Sequence, residues 1–175
     1  LVPSGTFLGN VLPETSKITG LSLDCKVSSG GHDHLVGALI AGATNQGTLI
    51  NSMGTAEAVT LFLDKPIYDT AVGSHGYVQG VIVADRPYYY HLGGLFTSGG
   101  AVQWFHRLTK QRYSHEELIK EAWGLPPGAN GVLFLPQMRV GSPPNPADMS
   151  RGAFIGLGTD TDHSMLYRSM LEGMA

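Results

Sequence analysis

Cysteine is almost missing from this sequence, charge is sparse, and no apolar run is long. Cys25 is the only cysteine in 175 residues. That excludes an internal disulfide framework and any thiolate zinc site, and it suits a reducing, cytoplasmic setting. Charged residues are 14% of the chain, with 11 Lys and Arg against 14 Asp and Glu and no basic cluster, so the footprint of a nucleic-acid partner is lacking. No apolar run reaches the ~18 residues that a membrane span needs, so no membrane partner is expected. The opening LVPSGTFLG has no basic n-region, which argues against a signal peptide. Common site signatures are also missing: there is no G-x-x-x-x-G-K-[ST] loop, no G-x-S-x-G elbow and no H-E-x-x-H pair.

Glycine is plentiful. With 24 glycines and 42% hydrophobic residues, the composition implies a compact, turn-rich chain that can bury a sizeable core as one domain or parts of two. No initiator Met is present and LYRSMLEGMA stops mid-helix by its spacing, so a fragment is expected.

Local signals place the elements. PETSKITG, residues 13–20, reads as a short helix between a Pro start and a Gly stop, and DCKVSSGG as a short strand ending in a glycine turn. Leu35 to Ala43 is apolar or small nearly throughout, which predicts a helix buried on all sides. TLINSMGTAEAVTLFLD predicts a β-hairpin turning at Gly54-Thr55, and GYVQGVIVA and PYYYHLGGLF predict further strands. SGGAVQWFHRL turns helical, with Ala101, Phe105 and Leu108 on one face. Ser114 and Glu117 form a capping box, with Gly124 closing that helix. GVLFLPQM reads as a buried strand, VGSPPNPADMS as an irregular loop and GAFIGLG as a last strand. Asp162 is expected to cap a final helix whose inner face carries Leu166 and Met170. The pattern is mixed α/β, and texture changes near residues 44–48.

The chemistry concentrates in SSGGHDHLVGALIAG, residues 28–42. Three readings of His32-Asp33-His34 stand. A metal site needs three or four convergent ligands, and two histidines two residues apart at a helix start are expected to point different ways. Asp33 as a helix N-cap would accept backbone N–H bonds beneath the helix dipole. Asp33 as a general base would use the same rigid placement to accept a proton from a substrate hydroxyl. The Gly54-Thr55 turn adds a backbone N–H and a hydroxyl suited to phosphate, and base plus phosphate cradle points to phosphoryl transfer.

Four stretches carry a resemblance over essentially the whole chain: GTFLGNV…TGL…VSSGGHD, NSMGTAEAV, GGLFTSGGAVQWF and LFLPQMRVGSPPNPADMSRGAFIGL…LYRSMLEGMA. In this order and spacing they resemble the middle of an FGGY-family carbohydrate kinase. The resemblance implies a partial α/β, ribonuclease H-like fold of the actin, hexokinase and Hsp70 type, with a mixed sheet and flanking helices. Residues 1–45 would be the C-terminal end of the N-terminal, sugar-binding domain, and 46–175 the first part of the C-terminal, ATP-binding domain.

The resemblance also implies roles. Asp33 matches the catalytic base, and His34 follows it where Gln or Asn is often found and where glycerol kinases of the family touch substrate. Gly54 and Thr55 match the hairpin that contacts ATP phosphates, and Gly99 and Gln103 match nucleotide-binding positions. Arg151 and Gly152 match an Arg-Gly pair read as structural. The implied cofactors are ATP and Mg2+, with no metal ligand assigned within this stretch, and the implied partner is a ketose or polyol.

MRVGSPPNPADMSRG departs from the usual G-E-R-x-P form, and His34 prevents the substrate from being copied from well-known members. The family's first phosphate loop, with its magnesium-associated Asp, and its later adenine loop are not in this stretch, so the chain alone is expected to be inactive. Two other readings remain: a non-catalytic nucleotide-binding actin-like module, and a metal-dependent hydrolase using His32, Asp33 and His34. Tyr88–Tyr90 fit either a homodimer interface or a strand.

Overall fold

The computed structural model describes residues 2–139, 141, 144, 149 and 151–175. Eight strands and six helices follow one another as β1 (Phe7–Asn10), α1 (Pro13–Thr19), β2 (Lys26–Ser28), α2 (Asp33–Ile40), β3 (Leu49–Met53), β4 (Glu57–Leu63), α3 (Thr70–Ser74), β5 (Val78–Val83), β6 (Pro87–Gly93), α4 (Gly99–Leu108), α5 (His115–Trp123), β7 (Leu133–Leu135), β8 (Ala153–Ile155) and α6 (His163–Met174) among the described residues. They form three sheets: β1-β2, a four-stranded sheet ordered β3-β4-β6-β5, and β7-β8. Most of the Pro-rich loop read from VGSPPNPADMS lies outside the described residues.

The chain divides into two compact units interleaved in sequence. The first comprises Leu1–Ile50, Thr60–Tyr68 and Gln79–His91; the second comprises Asn51–Val59, Asp69–Val78 and Leu92–Ala175.

In the first unit, Pro13 opens α1 and Gly20 ends it in the left-handed region, at φ 76°, where its N–H donates to Ser16 O. This is the helix stop that a residue without Cβ permits. The core gathers Leu35 and Ala38 of α2 with Phe62, Ile82 and Tyr88. Helix α2 is therefore buried on one side only, and Ile40 is 83% exposed, contrary to the all-round burial its apolar sequence predicts. Within this unit α2 packs on one set of strand residues, which covers only the stripe carrying Leu35 and Ala38.

The core of the second unit joins Ala101 and Phe105 of α4, Leu118 and Ala122 of α5, Phe134 of β7, and Tyr167 and Met170 of α6. Phe105 and Tyr167 pack with ring centroids 5.6 Å apart. The capping box forms as predicted: Ser114 Oγ accepts from Glu117 N–H, and the Glu117 carboxylate accepts from Ser114 N–H at 2.8 Å. Asp162 caps α6 by accepting from Met165 N–H at 2.9 Å, and Leu166 and Met170 face the core. Two expectations fail here. Leu108 is 58% exposed because α4 ends with it, leaving Ala101 and Phe105 to carry the inner face. Strand β7 buries Phe134 but exposes Leu133 and Leu135, because successive strand residues point to opposite faces and only one face packs on α6.

Candidate active site

Two groups of predicted site residues emerge, one in each unit. In the first unit, His32 occupies the N-cap position of α2 in extended backbone (φ −63°, ψ 133°), and Asp33 is the first helical residue. Asp33 is thus not the N-cap that one reading of the sequence expected. Its Oδ1 accepts from the N–H of His34 at 2.8 Å, and the carboxylate is 84% exposed. That hydrogen bond, followed by the charge of the His34 imidazole, holds the carboxyl below the usual aspartate value of 3.8. It is therefore ionised at neutral pH.

The two histidines converge. His32 Nδ1 lies 3.0 Å and His34 Nε2 3.9 Å from the same Asp33 Oδ1, and the ring centroids are 5.0 Å apart. The expectation that they point different ways fails because His32 is extended rather than helical, so the 100° helical step does not separate them. Gly31, in the glycine turn before α2, is closely packed. A Cβ there would lie 2.9 Å from Val36 Cγ2 and 3.2 Å from both Ile82 Cδ1 and Ser4 Oγ, all side-chain atoms, so a larger residue needs these side chains to shift.

In the second unit, β3 and β4 are joined through Gly54, Thr55 and Ala56, a connection short enough to force an antiparallel hairpin. The N-terminus of α4 docks onto this turn through backbone. Gly99 N–H donates to Gly54 O at 2.9 Å, Gly100 N–H to Thr55 O at 2.9 Å and Ser98 N–H to Thr55 O at 3.2 Å. A Cβ on Gly99 would stand 2.6 Å from Gly54 O, a distance that real Cβ atoms do not adopt, so the contact requires glycine at 99. At Gly54 itself a Cβ would meet only Ala56 O at 3.5 Å. The structure thus brings together Gly54, Thr55 and Gly99, with Gln103 one turn along α4 on the side of Gly99. Thr55 and Gln103 are exposed.

Gly54 and Gly99 line a cleft of about 450 Å³ together with Asn51, Met53, Glu57, Ser98, Val102, Leu171, Met174 and Ala175. Sequence reasoning missed most of this lining. Asn51 and Glu57 flank the predicted turn, and the Asn51 side chain donates to Glu57 Oε1 at 2.6 Å; their polarity so close to Gly54-Thr55 was the available signal. Leu171 and Met174 carried no comparable signal, because a helix more than 100 residues downstream supplies them. Gly152, read as structural, fits that role: a Cβ there would lie 2.9 Å from Met138 Cγ and 3.0 Å from Leu135 O.

The family model for the FGGY family of carbohydrate kinases, C-terminal domain, matches residues 49–175. A xylulose kinase of Bacillus subtilis is 30% identical over 175 residues, covering 99% of this chain and 34% of the relative. An L-xylulose/3-keto-L-gulonate kinase of Escherichia coli is 30% identical over 176 residues, covering 99% of this chain and 33% of the relative. The crystal structure of xylulose kinase from Rhodospirillum rubrum matches with a TM-score of 0.72 at 26% identity, over 98% of this chain and 34% of that one. This chain spans about a third of the length of the curated relatives it matches. The fold is accordingly the partial ribonuclease H-like fold of the actin and hexokinase type. By a match extending over residues 49–175, this chain belongs to the FGGY family of carbohydrate kinases.

Proposed function

We propose that the parent enzyme transfers the γ-phosphoryl group of ATP to a hydroxyl of a ketose or polyol of the pentulose or hexulose class. The observation that carries this reading is an exposed, ionised carboxylate fixed in the first turn of α2, in a chain whose relatives are named xylulose kinases. Those names favour a pentulose as acceptor. Residues 1–45 then belong to the sugar-binding domain and 46–175 to the opening part of the ATP-binding domain.

In this reading Asp33 accepts the proton of the acceptor hydroxyl as that hydroxyl's oxygen bonds to the γ-phosphorus and the bond to the β,γ-bridging oxygen breaks, with ADP leaving. A carboxylate held below its usual range is a weak base. It suffices because phosphoryl transfer proceeds through a loose transition state, in which orientation and electrostatics count for more than proton abstraction. His34, with its ring beside the carboxylate, contacts the sugar.

The cleft in the second unit has a volume ordinary for a small-molecule site. Val102, Leu171 and Met174 give it apolar walls, and the Asn51–Glu57 pair gives it a polar edge, a combination that suits a nucleotide. Gly54 and Gly99 provide close backbone, and the exposed Thr55 hydroxyl and Gln103 amide provide polar contacts. ATP supplies the phosphoryl group when bound. Mg2+ fits less well: Glu57 is the one carboxylate lining this cleft among the described residues, and its Oε1 already accepts from Asn51, so no step is assigned to the ion here. The 175-residue chain alone is inactive in this reading.

The test is ATP-dependent phosphorylation of a panel of pentuloses, hexuloses and polyols by the full-length parent, with Asp33→Asn alongside. Turnover of one acceptor, reduced roughly 10²–10⁴-fold in the variant while ATP still binds, is the expected result. A variant with undiminished turnover overturns the base assignment. A parent that binds ATP but phosphorylates none of the panel favours a non-catalytic nucleotide-binding module.

A further inference from the structure

The convergence of His32, Asp33 and His34 goes beyond what a proton acceptor needs. One donor atom from each residue lies within 4.8 Å of the other two. Consecutive residues seldom converge in this way, since helical geometry fans their side chains around the axis. Here the extended backbone of His32 swings its ring to 5.0 Å from that of His34, with Asp33 Oδ1 next to both.

The set is chemically selective. Two imidazoles and one carboxylate suit Zn2+, Co2+, Ni2+ and Cu2+, whereas Mg2+ prefers an all-oxygen octahedral shell. The side chains of His32 and Asp33 are 60% and 84% exposed, so they have room to close from the present 3.0–3.9 Å contacts onto an ion about 2.0–2.2 Å from each donor. Three protein ligands leave further positions for water or a hydroxyl.

We propose that His32, Asp33 and His34 chelate a divalent first-row transition ion, and that this ion occupies the carboxylate and so blocks phosphoryl transfer. The ion takes Asp33 Oδ1, the oxygen facing both rings, and its charge lowers the basicity of the whole carboxylate, Oδ2 included. The binding half stands on geometry alone; the inhibitory half rests on the kinase reading above. If the imidazoles do no more than hydrogen-bond the carboxylate, no ion binds.

Zn2+ titrated calorimetrically into the full-length, metal-stripped protein decides the first half. We expect one ion per chain, unaffected by excess Mg2+, with affinity lowered more than about tenfold in His32→Ala and in His34→Ala and unchanged in His91→Ala. Co2+ in place of Zn2+ gives an independent absorption signature for the same comparison. Should His34→Ala fail to fold, His32→Ala and Asp33→Asn decide. Absence of a Zn2+ isotherm, or one that neither histidine variant weakens, overturns the site. For the second half, Zn2+ is added to the Mg·ATP-dependent assay and each variant is compared with its own zinc-free rate. Inhibition lost in His32→Ala supports the block; inhibition of equal depth in wild type and His32→Ala overturns it. A parent with no sugar-kinase activity sinks the kinase reading and the block with it, while calorimetry still rules on the chelate.

Discussion

The Asp33 cluster of the first unit and the hairpin–helix contact of the second are built by opposite means. The first is made of side chains: three consecutive residues, His32 and Asp33 exposed and His34 half-buried, gathered at the start of one helix. The second is made of the absence of side chains: Gly99 meets Gly54 across 45 positions of sequence, and the bonds between them are backbone to backbone. A side-chain site tolerates change in its scaffold but not in its own chemistry. A backbone site tolerates neither an added Cβ nor a shift of the elements that deliver it.

Each prediction tests that contrast. The largest effect is expected at Asp33, where replacing the carboxylate by an amide removes roughly 10²–10⁴-fold in rate and leaves stability nearly untouched, as read by a urea midpoint on the same sample. Next comes Gly99→Ala. With 2.6 Å available to the new Cβ, helix α4 or the hairpin must move, and the cost is about 1–3 kcal/mol in unfolding free energy together with weakened nucleotide binding. Gly54→Ala is the internal control. Its Cβ would find ordinary contact distance, so a destabilisation matching that of Gly99→Ala would break the distinction. Smaller still is Ser114→Ala, which removes the cap of α5 at about 1 kcal/mol, measured by denaturant unfolding, and leaves both sites intact.

A pH series separates chemistry from folding in the same terms. The pKa of Asp33 is depressed in the folded chain, first by the His34 N–H bond and then by the His34 charge. The carboxylate therefore remains available as pH falls from neutral, and the acid limb of kcat/KM should lie below the ordinary value of 3.8. The helix caps obey the same sign. Glu117 and Asp162 are both lowered, Glu117 by its bonds to Ser114 and Asp162 by those to Ser164 and Met165. Their stabilisation is full above the unfolded carboxylate values and fades as pH drops through the folded ones. Urea midpoints at neutral pH and near pH 3 check this, and the difference between the two should shrink in Asp162→Asn.

What was legible in the sequence is what short stretches decide. Pro13 and Gly20 bracket α1, Ser114 and Glu117 open α5, Asp162 opens α6, and Gly54-Thr55 turns the hairpin. In each case the partners lie within a few residues, so the hydrogen bonds or the turn follow from local order alone. The four motifs in their order likewise brought out the kinase family that the match over residues 49–175 shows.

What the sequence left open depends on which elements meet. Whether α2 is buried all round, whether Leu108 faces inward and whether both faces of β7 are covered were misjudged, because apolar residues do not record how many neighbours will pack on them. The steric need for glycine at 99 was equally invisible, since the atom a Cβ would strike, Gly54 O, comes from another segment of the chain. The sequence by itself determined the caps of α5 and α6, the stop of α1, the hairpin turn and the carboxylate at residue 33, because those are fixed by covalent neighbours. Only the tertiary structure decided that His32 and His34 share one oxygen and that α4 closes on the hairpin, because both depend on backbone directions that local order does not set.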